Sequence, residues 1–155
     1  MSTHSYSRCW LHVVWSTLRR DCDLDEESRK KVSHYLQEYA KSKSIYTEIN
    51  YVNADHVHVL IDLPTNRSVE EVLHLLKGSS SHWINENHLT PFAFSWGRGY
   101  GSFSVSDSIV PKVTLYIAGQ AEHHRRRTFL EEYKHFVIAN RIKWHEDRQD
   151  TGGTD

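Results

Sequence analysis

His56, Val57 and His58 open a run of β-branched and aliphatic residues that continues to Leu63. In a strand, side chains two apart share a face. Val57, Val59 and Ile61 then turn toward a core, while His56 and His58 project together from the other face. Two imidazoles held side by side on a rigid strand form half of a divalent-metal site. In a chain with 12 histidines the same triplet also reads as two partly exposed strand residues. Further along, Tyr116 and Gln120 lie four apart in a segment with helical signals, so they share a face. A phenol, two imidazoles and an amide oxygen form a coherent set. Three ligands hold a divalent ion and leave positions open for a phosphate oxygen and water. A phenolate there would attack phosphorus, and a covalent intermediate would split one difficult step into two reversible ones. Taken singly, Tyr116 also reads as an amphipathic core residue and Gln120 as an exposed helix former.

The elements that must position these groups follow from the pattern. Residues 7–16 are aromatic and β-branched and predict a first strand. Asp23 with Glu26 resembles a capping box, and Val32, Tyr35, Leu36 and Tyr39 recur at helical spacing to about Ser42. Residues 45–52 alternate as a second strand, 53–55 turn, and 56–63 form a third, so the two make a hairpin. Ser68 with Glu71 caps a second helix whose inner face runs through Val69, Val72, Leu73, Leu76, Ser80, Trp83 and Ile84. A fourth strand is expected around residues 102–105, and a third helix from Pro111 to about His123. Thr128 with Glu131 opens a short fourth helix carrying Phe129, Tyr133, Phe136 and Val137. The order β-α-β-β-α-β predicts an α+β, ferredoxin-like antiparallel sheet with helices on one face, plus a C-terminal helix that would be the catalytic one if Tyr116 acts as the nucleophile.

With 155 residues and no long linker or internal repeat, one domain is expected, its ordered core at about 7–147. Hydrophobic residues at 38% and charged residues at 25% exclude a disordered chain. No apolar run approaches the roughly 18 residues that span a bilayer. The polar start of the chain lacks the apolar stretch of a signal peptide, so the cytoplasm is the expected compartment. Cys9 and Cys22 fit no zinc spacing and read as free thiols. A net charge of −1 argues against coating long stretches of nucleic acid by charge alone, but not against a local basic groove.

Several segments carry a more specific likeness. They are HVVWSTLRR at 12–20, NADHVHVLI at 53–61, LKGSSSHWIN at 76–85, FSWGRGYGSFSVSDS at 94–108 and YIAGQAEHHRRRTFLEEY at 116–133. Together they resemble the single-tyrosine HUH transposases of small bacterial insertion sequences, including relatives associated with repeated palindromic elements. HVH alone is a weak signal; HVH with GYGSFSVS and YIAGQ at this spacing is a strong one. The resemblance implies that His56 and His58 are paired metal ligands and Gln120 the third. It implies that Tyr116 takes a DNA 5′ phosphate and releases a 3′ hydroxyl, with Mg²⁺ or Mn²⁺ as cofactor. Imidazole ligation suits Mn²⁺ somewhat better, while Mg²⁺ is the abundant cellular ion. The implied substrate is single-stranded DNA with hairpin ends. The implied assembly is a homodimer in which the tyrosine helix of one subunit serves the histidines of the other. The glycine-rich segment 97–101 ahead of that helix would let it swing or swap.

Candidate DNA contacts are Arg19 and Arg20 after the first strand, Lys77, Ser79 and Ser80 along the second helix, and Arg125, Arg126 and Arg127 after the catalytic helix. Trp83 and Trp96 are candidates to stack on bases, although Trp83 sits on an apolar helix face. His123 and His124 suit proton transfer or a solvated helix end. Asp55 is placed to orient one imidazole. Two other functions fit part of the pattern. A hydrolytic metallo-phosphodiesterase would use His56 and His58 with an activated water. A domesticated or non-catalytic ferredoxin-like module would bind nucleic acid and cut nothing.

Overall fold

The structure, a computed structural model, describes residues 5–124 and 126–145. Four strands build one antiparallel sheet: β1 (Trp10–Ser16), β2 (Tyr46–Val52), β3 (His56–Asp62) and β4 (Gly101–Val105), in the order β2-β3-β1-β4. Helices α1 (Glu26–Ser42) and α2 (Val69–Glu86) connect them, and α3 (Val110–Ala118), α4 (Gln120–His123) and α5 (Phe129–Ala139) follow. This is the ferredoxin-like α+β arrangement that the element order predicts. β1 and β3 are central, so every residue of either is buried except the last.

The alternation within these strands sorts side chains into two cores. Leu11, Val13, Trp15, Val57, Val59 and Ile61 pack under α1 and α2 with Val32, Leu36, Leu73 and Leu76. Trp10 and Leu60 turn to the other face and pack with Val110 and Ile117 of α3. The second face is therefore also roofed, by α3 to α5. That cover buries His56 and His58 completely, where the pattern alone also allowed partial exposure.

Helix boundaries shift for local reasons. The cap of α1 is Asp25, which accepts from Ser28 N at 2.7 Å, and not Asp23. Leu24 is 2% exposed and its N–H bonds Ala54 O at 3.2 Å, so this buried anchor delays the helix start. Ser68 caps α2 and Thr128 caps α5 as expected. The expected third helix is two pieces. α3 ends at Ala118, Gly119 supplies a bend, and α4 restarts at Gln120. Gly119 N bonds Leu115 O at 3.0 Å and His123 N bonds Gly119 O at 3.2 Å, so the spacing across the bend stays helical. Close approach at Gly101 seats α5: a Cβ there would lie 2.7 Å from the Tyr133 ring.

Candidate active site

Site residues come from five elements. His12 on β1 and His56 and His58 on β3 share the face that α3 to α5 cover. His12 pairs with Leu60 and Val14 with His58, so His12 and His58 are diagonal neighbours across the ladder. Tyr116 lies on α3 and Gln120 at the start of α4, one turn on. Glu132 comes from α5, between Phe129, which stacks on His56 at 4.2 Å, and Phe136, which meets the His12 ring edge-on at 5.0 Å.

Glu132 is the hub, with no exposed surface. Its Oε1 lies 2.9 Å from His58 Nε2 and 3.6 Å from both His56 Nε2 and His124 Nε2. Its Oε2 accepts a very short hydrogen bond from the Tyr116 hydroxyl and a longer one, 3.4 Å, from Gln120 Nε2. Arg127 donates to the Tyr116 oxygen at 3.3 Å. The second ring nitrogens are also held. His56 Nδ1 bonds Asp55 Oδ1 at 2.6 Å, and His58 Nδ1 meets His12 Nε2 at 2.8 Å. Gln120 is fully buried; its Oε1 takes bonds from His124 Nε2 at 2.8 Å and Asn53 Nδ2 at 3.4 Å.

The electrostatics follow from that packing. Burial opposes a charged Glu132, but bonds from His124, His56 and His58 outweigh it and hold the carboxyl well below its usual range. Burial and then the adjacent carboxylate push the Tyr116 phenol up, while Arg127 pulls the other way. Burial lowers His58 to about 4 and His12 to about 3, the latter helped by His58. His56 is raised: burial alone would lower it, but Asp55 and Glu132 prevail.

A stability profile follows. Below pH 6.5 the unfolded chain protonates His58 and His12 before the folded one does, so stability falls with pH toward about 4. His56 behaves oppositely: its contribution is complete below 6.5 and is lost as pH rises through its folded value. Urea unfolding should therefore be most difficult near pH 6.5 and cost on the order of 3 kcal/mol less at pH 4 from His58 alone. Equal stability at pH 4 and pH 6.5 would contradict buried, neutral imidazoles.

Among the described residues His56, His58, His124 and Glu132 form a group whose ligand atoms all lie within 4.8 Å of one another. Three imidazole nitrogens and a carboxylate suit a divalent transition ion. Asp55 fixes the His56 tautomer with Nε2 turned inward, as metal ligation requires. The donor set therefore fits the implied metal.

His56, His58, Tyr116 and Gln120 are thus brought together, within one chain. Glu132, His12, Asn53 and Arg127 join them, and His124 enters with a defined contact. A readable sign of Glu132 existed: an acid on the apolar stripe of an amphipathic helix. The basic candidates divide. Arg19 and Arg20 occupy a left-handed turn at the His56 end of the sheet, where Thr17 N bonds Asp55 O at 2.8 Å. Lys77 donates to Gly97 O and Gly99 O at 2.8 and 2.9 Å, tying down the segment expected to let the tyrosine helix swing or swap. Ser80 is fully buried and receives the Trp96 indole N–H at 2.9 Å, so neither Ser80 nor the buried Trp96 faces solvent. Trp83 is half-buried and stacked on Tyr35 at 4.7 Å. Arg126 is exposed and pairs with Glu122 at 3.6 Å, and Arg125 lies outside the described residues. Cys9 and Cys22 are free and exposed.

The family model for IS200-like transposases matches residues 5–120. The transposase for insertion sequence element IS200 of Salmonella typhimurium is 28% identical over 127 residues, covering 79% of this chain and 83% of that protein. Its Salmonella typhi counterpart matches equally. A putative transposase from Deinococcus radiodurans R1 shares the fold with a TM-score of 0.61 at 20% identity, covering 77% of this chain and 96% of that one. A REP-associated tyrosine transposase, solved bound to a REP hairpin, gives 0.59 at 12% identity over 100% of this chain and 98% of that one. Fold, site and sequence together define an enzyme that cuts and rejoins DNA. The chain belongs to the family of IS200-like transposases, whose model takes in β1, both strand histidines, Tyr116 and Gln120. Among the described residues no helix is long and apolar enough to cross a membrane.

Proposed function

We propose that this chain, as a single cytoplasmic domain, cleaves single-stranded DNA at hairpin ends and rejoins it through a 5′-phosphotyrosine at Tyr116. The observation that carries this reading is the Tyr116 hydroxyl held on Glu132, whose other oxygen touches His58. A phenol is poor as a nucleophile until it loses its proton. Glu132 accepts from that hydroxyl; its carboxylate is a weak base here, so the proton crosses this hydrogen bond only as the oxygen bonds phosphorus and becomes acidic. Arg127 stands at the same oxygen and stabilises negative charge there. The Tyr116 oxygen–phosphorus bond forms, the phosphorus–O3′ bond breaks, and the 3′ oxygen leaves as a hydroxyl, taking up the proton that Tyr116 gave to Glu132. Reversal by another 3′ hydroxyl rejoins the strand and frees the tyrosine.

His56 and His58 would hold the ion, Mn²⁺ or Mg²⁺, with Gln120 alongside and Glu132 and His124 as further donors. Such an ion, when bound, polarises the scissile phosphate. Arg19, Arg20 and Arg126 supply phosphate contacts that position the strand without reading its sequence. The reading includes a homodimer. It assembles each site within its own chain, because the Tyr116 hydroxyl is held on Glu132, which touches His58 of the same chain, and Lys77 ties the loop that an exchange would move. The REP-hairpin complex of the structural neighbour is consistent with a hairpin substrate.

The test is incubation with end-labelled hairpin DNA plus Mn²⁺, followed by a denaturing gel. Label should migrate with the polypeptide and vanish in EDTA. Metal-dependent cleavage with no adduct would instead favour water-driven hydrolysis, and binding with no cleavage a regulator.

A further inference from the structure

We propose that His12 is a positioning residue for the metal centre, acting as the hydrogen-bond acceptor that fixes the His58 tautomer. This rests on the reading of His58 as a ligand. The two strand histidines are supported differently. His56 gives its second nitrogen to a carboxylate, Asp55, at 2.6 Å, which is the usual arrangement for a ligating imidazole. His58 has another imidazole in that place: His12 Nε2 at 2.8 Å, with the rings 5.0 Å apart and 30° from parallel. Both rings are buried, so solvent does not take this role.

A neutral imidazole carries one N–H, and the nitrogen without it is the ligand. In the present network His58 Nε2 faces the Glu132 carboxylate, an acceptor, at 2.9 Å and therefore carries the proton. His58 Nδ1 is then an acceptor, and His12 Nε2 donates to it. If His58 Nε2 is to bind a cation, its proton must sit on Nδ1, and His12 Nε2 must accept. The two rings change tautomer together, and the proton count of the pair is unchanged. His12 can occupy either role because it is itself an imidazole. A carboxylate there would accept only, and a phenylalanine would do neither. β1 holds His12 rigidly for this, with Phe136 edge-on at 5.0 Å and the ladder on both sides.

The test uses the full chain and Mn²⁺ titrated by calorimetry in the absence of DNA. His12→Phe should bind Mn²⁺ 10- to 100-fold more weakly, the usual cost of losing such a partner. His12→Gln, which can still accept at that position, should recover most of the loss. His12→Phe binding like wild type overturns the inference and leaves the metal site standing. Wild-type protein that binds no Mn²⁺ overturns both. Should His12→Phe not fold, ¹⁵N shifts of wild-type His12 and His58, recorded with and without Mg²⁺, decide the matter. His58 Nδ1 and His12 Nδ1 should gain their protons when Mg²⁺ binds. An unchanged Nε2–H on His12 overturns the proposal.

Discussion

Tyr116→Phe protein forms no covalent DNA adduct, and its cleavage rate falls by at least about 10⁴-fold, the scale of losing a nucleophile outright. Phenylalanine keeps the ring, so its contacts survive: His123 stacked at 4.4 Å and Phe136 edge-on at 5.7 Å. What goes is one oxygen. Glu132 Oε2 loses its shortest donor but keeps Gln120 Nε2 at 3.4 Å, which limits the stability change to about 1 kcal/mol. Hairpin affinity, followed by fluorescence anisotropy, should be unchanged, because phosphate contacts come from elsewhere. Chemistry is thereby separated from folding and binding. A phenylalanine variant that still becomes labelled would move the nucleophile to another residue.

Glu132→Ala is expected to cost about 3–5 kcal/mol of stability, the penalty for removing one partner of a buried charged network. Three imidazoles converge on this carboxylate with distances of 2.9, 3.6 and 3.6 Å, and it has no exposed surface. Without it, His56 keeps Asp55 and His124 keeps Gln120 Oε1 at 2.8 Å, but His58 Nε2 loses its acceptor and the Tyr116 O–H loses the oxygen it donates to. At this chain length, the loss corresponds to a fall of roughly 10 °C in melting temperature. Glu132→Gln keeps shape and one acceptor oxygen, so its loss should be smaller. Thermal melts of both variants at pH 6.5 check the ordering. An alanine variant within 1 kcal/mol of wild type would show the hub to be energetically idle.

These two residues differ in how readable they were. Tyr116 stood out because Gln120 follows it by one helical turn and HVH precedes it at a familiar spacing. Glu132 lies 16 residues beyond Tyr116, in a helix whose sequence shows a cap at Thr128 and an apolar stripe, with the acid on that stripe as its one sign. The family match ends at residue 120 and so does not reach it. His12 was hidden for another reason. It sits in a strand buried on both faces, and alternation there cannot separate a packed imidazole from a working one.

Sequence alone determined the strand and helix order, the caps at Ser68 and Thr128, the split of β3 into a core face and a histidine face, and the Tyr116–Gln120 pairing. Each is local: caps act over three residues, alternation over two, a helical face over four. Tertiary structure decided the rest. Only the β2-β3-β1-β4 order, with α5 laid over the second face, brings Glu132, His12 and Arg127 to the histidines. It also took Ser80 and Trp96 out of contention by burying them, and set Lys77 on two loop carbonyls. Local periodicity states which side of an element a residue is on. What arrives to cover that side depends on chain segments far away, and no spacing rule reaches that distance.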